Sequence, residues 1–63
     1  MGLIDFIVYC VREYANAYEK DETQVFFTFS KNGTFDYIVD NYTTLYNSDN
    51  VVEEINNYIE NMN

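Results

Sequence analysis

The chain has 63 residues, 48% of them hydrophobic, with eleven acidic side chains, three basic ones and no histidine, for a net charge of −8. That length allows one domain, 1–63, and that charge opposes direct binding to a nucleic-acid backbone or an anionic membrane surface. The hydrophobic content excludes a disordered acidic tail, and a single cysteine, Cys10, excludes an intramolecular disulfide framework.

The opening MGLIDFIVYC is apolar but carries Asp5 and has no basic flank, so it reads as neither a secretory leader nor a membrane span. With one thiol and no leader, the expected location is the cytoplasm. From Leu3 to Tyr18 the apolar residues Leu3, Ile4, Ile7, Val8, Val11, Ala15 and Tyr18 recur at helical spacing. At about 100° per residue, Leu3, Ile7, Cys10, Tyr14 and Tyr18 fall on one side and Asp5, Arg12, Asn16 and Glu19 opposite. The spacing predicts a first helix over 3–19, with Tyr9 among its polar residues.

Lys20-Asp21-Glu22-Thr23 interrupts the pattern, and Asp21 followed by Gln24 resembles a capping box. The next stretch, QVFFTFSKNGTFDYIV, can be a hairpin turning at Asn32-Gly33 or two helices separated there. Strand propensity favours the hairpin. The residues beyond Gly33 decide otherwise, because Phe35, Ile38, Val39, Tyr42 and Leu45 follow a helical stripe rather than an alternation. Gly33 then supplies a left-handed residue ending a helix over 22–32, and Thr34 is expected to cap the next, over 34–46, with Asp36 in its positive first turn. Asn50, with Glu53 three residues on, is expected to cap a last helix over 50–61. The predicted fold is all-α, a compact bundle of four short helices.

With this pattern in hand, the chain resembles a family of short helical bacterial proteins known only as a domain of unknown function, mainly from Gram-positive anaerobes. The likeness rests on DFIVYCVREYANAY, on Val25-Phe26 entering a short helix, on GTFDYIVDNYTTLY and on VVEEINNYI, which together cover nearly the whole chain. Genes of that family often stand beside genes for toxin-like proteins, including ADP-ribosyltransferase-like domains. The resemblance therefore implies a neutralising or accessory role. Two departures stand out: the link at 47–50 is short, and Phe27 and Thr28 occupy positions where a polar and an apolar residue, respectively, are usual.

Catalytic chemistry is hard to assemble from these residues. No imidazole is available as a base, and Cys10 sits mid-helix on an apolar face with nothing to activate it. Asp36 with Asp40, and Asp49 with Glu53, are pairs one helical turn apart that suit a solvated face better than a cation site, which needs six to eight oxygens. With only Gly2 and Gly33, there is no phosphate-binding loop. The expectation is a protein that is not an enzyme and holds neither cofactor nor metal.

The aromatics carry more information. Tyr14, Tyr18, Phe26, Phe29, Phe35, Tyr42 and Tyr58 lie on apolar stripes and are expected in the core, whereas Tyr9, Phe27 and Tyr37 do not. Single exposed aromatics are ordinary. Three beside acidic side chains also resemble a protein-binding surface. The leading expectation is an acidic, antitoxin- or inhibitor-like interaction module that occludes a partner protein. Tyr9, Phe27 and Tyr37 would be its anchors, and Asp36, Asp40, Glu53 and Glu60 would meet a basic cleft. The candidate partners are a toxin-like enzyme or a basic nucleic-acid-binding protein. Two rivals are a nucleic-acid mimic, built on the six acids after Asn32 that no base opposes, and a homodimer with no further activity.

Overall fold

The computed structural model describes residues 1–62, and among them five helices form and no strand. They are α1 (Leu3–Ala17), α2 (Glu22–Lys31), α3 (Thr34–Asp40), α4 (Tyr42–Tyr46) and α5 (Val51–Glu60). The bundle is all-α as expected, with one more helix than the sequence predicts. The stretch 34–46 is broken at Asn41, whose backbone leaves the helical region at φ −116°, ψ 24°. There the Asn41 side-chain amide donates to the Tyr37 carbonyl at 2.9 Å, joining its own backbone N–H on the same oxygen. Asn47 does the same to Thr43 at the end of α4, and Asn61 to Asn57 at the end of α5. At these three helix ends the asparagine amide thus adds a second donor to a carbonyl that its own backbone N–H already bonds.

Gly33 has φ +79°, so the chain turns between α2 and α3 through a left-handed residue, not a hairpin. Thr34 does not cap α3: Gly33 occupies that position, and Thr34 is buried inside the first turn. The Asn32 Oδ1 accepts from the Thr34 N–H (3.1 Å) and from its hydroxyl, which satisfies the polar group inside the core. The other two caps form where expected. Asp21 accepts from the Gln24 N–H, while Asn50 and Glu53 make a reciprocal pair, Glu53 N–H to Asn50 Oδ1 (3.2 Å) and Asn50 Nδ2 to Glu53 Oε2 (2.9 Å).

Each helix sends at least one fully buried side chain to a common core: Cys10, Val25 and Phe29, Ile38, Leu45, and Ile55. Phe29 sits at the centre, with its ring edge-on to Tyr14 (5.2 Å) and Phe35 (5.7 Å). The radius of gyration, 10.6 Å, is what a packed chain of this length should have, roughly 11 Å. The buried face of α1 is turned relative to the sequence reading. It runs through Phe6, Cys10, Val11, Tyr14 and Ala15, while Tyr18 at the helix end is exposed.

The end of α1 is strained. The Lys20 N–H donates to the Ala15 carbonyl (2.8 Å) and the Glu19 N–H to Asn16 (3.4 Å), a Schellman closure that requires a left-handed residue, and Glu19 fills that place at φ +52°. Non-glycine residues occupy this region at a cost. Glu19 is exposed and is not needed for packing, so Glu19→Gly is expected to raise stability by about 0.5–1 kcal/mol and the melting midpoint by about 3–6 °C. Thermal denaturation followed by circular dichroism checks this. An unchanged or lower midpoint would contradict the strain.

Candidate functional site

α1 carries more apolar side chains than one core face can hold. Phe6, Cys10 and Tyr14 point inward, which leaves the adjacent strip of Ile4 and Val8, one turn apart, on the outside. α2 is short and buries only Val25 and Phe29, so Phe26 is turned out beside them. Ile4, Val8 and Phe26 are 72%, 48% and 57% exposed, and none has a polar tip to place in water.

Val8 and Phe26 face each other across an open groove of about 360 Å³ between α1 and α2. Ile7 and Val11 form its floor, and Glu22 and Thr23 complete the wall on the α2 side. The ring of Phe26 also touches Phe35 of α3 (5.0 Å), so the apolar surface continues past α2 toward Val39, which is exposed one turn further along α3. Burying an Ile, Val or Phe side chain is worth about 1.5–3 kcal/mol each, so a partner that covered this strip would gain that stabilisation at each of them.

The three anchors expected from sequence have separate surroundings. Tyr9 is exposed on another side of α1, stacked on Phe6 (6.1 Å), beside the Tyr42 and Tyr46 rings that also surround Phe6. Phe27, 68% exposed, stands at the rim of a second cleft, between α2 and α5. Tyr37 packs against the core, stacked on Tyr58 at 4.1 Å and 13°. Burial, with the nearby Glu54 and Tyr58, raises the pKa of its phenol above the ordinary range. The expectation that Tyr37 stands outside the packed faces is therefore corrected, as is the expectation that Phe26 and Tyr18 are core.

The acidic candidates also divide. Asp36 and Asp40 are exposed on α3. Glu53 is engaged in the α5 cap, and Glu60 accepts from Asn56 Nδ2 (3.0 Å), whose Oδ1 in turn accepts from the Tyr14 hydroxyl (2.9 Å). That chain ties α5 to α1. Burial, with Tyr18 and Glu60 close by, raises the Tyr14 pKa. Burial also pushes the Cys10 thiol up to about 12, so it stays protonated and unreactive at neutral pH. Among the described residues no three metal-ligating side chains come together, and no helix is long and apolar enough to cross a membrane.

The sequence reading missed Ile4, Val8 and Phe26 as surface residues. The available signal was width: Leu3, Ile4, Phe6, Ile7, Val8, Cys10 and Val11 cover more of α1 than one partner face can bury.

No curated protein and no solved structure matches the chain. A family model does, over residues 5–62, from the first turn of α1 to beyond the end of α5. The match spans the groove, the core and all five helices, and by it the chain belongs to the family described as protein of unknown function (DUF3791).

Proposed function

We propose that this protein is an interaction module that binds another protein through the groove between α1 and α2 and occludes part of its surface. The observation that carries the reading is the exposure of Val8 and Phe26 on the lining of this groove, with Ile4 exposed one turn before Val8 on α1. The net charge of −8 selects the partner's character. Apolar residues framed by basic ones would be steered to this surface and then held by burial, whereas a second copy would set one acidic domain against another. The toxin-like neighbour implied by the family resemblance, an enzyme with a basic substrate cleft, fits that description, and an antitoxin- or inhibitor-like role follows from occlusion.

Co-expression with the product of the adjacent gene tests the reading. The expected result is a complex that survives size-exclusion chromatography at micromolar concentration and is weakened at least tenfold, about 1.4 kcal/mol, by Val8→Asp or Phe26→Asp. Both side chains are exposed, so neither change should unfold the chain. Affinity should fall only modestly between 50 and 500 mM salt, because burial rather than charge holds the complex. Proteins that stay apart would overturn the proposal. A complex indifferent to Phe26 but abolished by salt would instead favour nucleic-acid mimicry through Asp36, Asp40, Glu53 and Glu60. Self-association lost in Phe26→Asp would favour the homodimer.

A further inference from the structure

α2 packs on α1 and α3, and α5 on α1, α3 and α4, which leaves an open cleft of about 460 Å³ between α2 and α5 on a different face from the groove above. Its volume lies within the range of small-molecule sites. The floor is apolar, made by Tyr14, Val25, Phe29 and Ile59, and the rim carries Gln24, Thr28, Phe27 and two lysines. In a chain with eleven acids and three bases, the only charged residues lining this cleft are Lys20 and Lys31, both bases.

Lys31 alone would be accounted for by the negative end of α2, of which it is the last residue. Lys20 follows the end of α1 and lines this cleft as well as a neighbouring hollow that Glu13 and Glu22 border with it. It leaves the chain at a point held by the left-handed Glu19 and by its own N–H bond to Ala15, just before α2 begins. Asp21 is engaged in capping α2 and Glu60 in accepting from Asn56, and no carboxylate lines the cleft itself.

We propose that this cleft binds a small organic anion, a flat apolar body bearing one carboxylate or sulfonate. The body would lie on Ile59 with Phe27 against its face. The two ammonium groups would fold in from either end of α2, and Gln24 and Thr28 would supply hydrogen bonds. This site is independent of the protein-binding groove and does not require that reading to hold.

The probe is anilinonaphthalene sulfonate, compared with N-phenyl-1-naphthylamine, the same ring system without the charge. The expected result is saturable binding of the sulfonate to the folded chain, at least fivefold tighter than the neutral analogue. Amide resonances of Gln24, Thr28 and Ile59 should shift. The variant Lys20→Gln/Lys31→Gln should weaken sulfonate binding at least tenfold with an unchanged circular dichroism spectrum, and Lys20→Arg/Lys31→Arg should retain it. Equal affinity for the neutral analogue, undiminished binding to the double glutamine variant, or shifts confined to Ile4, Val8 and Phe26 would each overturn the proposal.

Discussion

Phe29→Ala is expected to remove a large part of the chain's stability at 25 °C. Phe29 is fully buried, belongs to α2, and contacts Tyr14 of α1 and Phe35 of α3 through edge-on ring packing. Removing a buried Phe side chain costs about 3–5 kcal/mol in lost transfer free energy and residual cavity. A domain of this length has roughly 3–9 kcal/mol in total, at about 0.05–0.15 kcal/mol per residue. The same truncation at Phe27 removes a ring of equal size that is mostly in water, and it should change stability by less than about 0.5 kcal/mol. Far-UV circular dichroism and urea titration of the two variants make the comparison. Equal destabilisation would mean that α2 is not oriented as described.

That pair of phenylalanines also marks where the sequence stops being legible. The choice of helices over a hairpin could be read because Gly33 is followed by a stripe from Phe35 to Leu45 that a strand cannot present on one face. The caps at Asp21 and Asn50 were readable for a similar reason: their partners lie three residues away, and local geometry settles the bond. Phe26 and Phe27 differ. Helical phase puts Phe27 nearly opposite the buried Val25–Phe29 line but Phe26 beside it, and what exposes Phe26 is which side α1, α3 and α5 cover.

The break at Asn41 was hidden for another reason. Tyr42 and Leu45 keep their places on the stripe across it, so hydrophobic spacing has no mark to show. At the break the Asn41 side-chain amide joins its backbone N–H on the Tyr37 carbonyl, a short-range contact with no periodic signature. Thr34 is the converse case. Its type and position are those of a cap, yet Asn32 reaches forward to bond it, and the residue is drawn into the core. For the candidate site the lesson is the same. Ile4 and Val8 can be seen in the sequence to exceed what α1 can bury, but only the position of α2 turns that excess into a groove.

Stability is expected to fall steadily as pH rises above 9, with Cys10 as the first cause. Its thiol is fully buried at the centre of α1, and burial raises its pKa from 9.0 to about 12. Between those values the unfolded chain releases the thiol proton and the folded chain keeps it, so the unfolded state binds fewer protons and gains free energy relative to the native one. The contribution is fully present below pH 9 and is lost toward pH 12, at up to about 1.4 kcal/mol per pH unit. Tyr14 and Tyr37, whose phenols are also raised from 10.0, act in the same direction and join above pH 10. Urea midpoints at pH 7.5, 9.0 and 10.0 should therefore be unchanged over the first interval and drop over the second. Cys10→Ala separates the thiol from the phenols: it lowers stability at pH 7.5 by leaving a small cavity, yet its loss between pH 9 and 10 should be smaller than that of the natural chain. A thiol reagent supplies an independent reading. At pH 8 it should modify Cys10 slowly in water and fully in denaturant, and the rate in water should rise for Phe29→Ala, since opening the core is the only route to the sulfur. Rapid modification of the folded chain, or a midpoint that does not move between pH 9 and 10, would show that α1 does not bury this face.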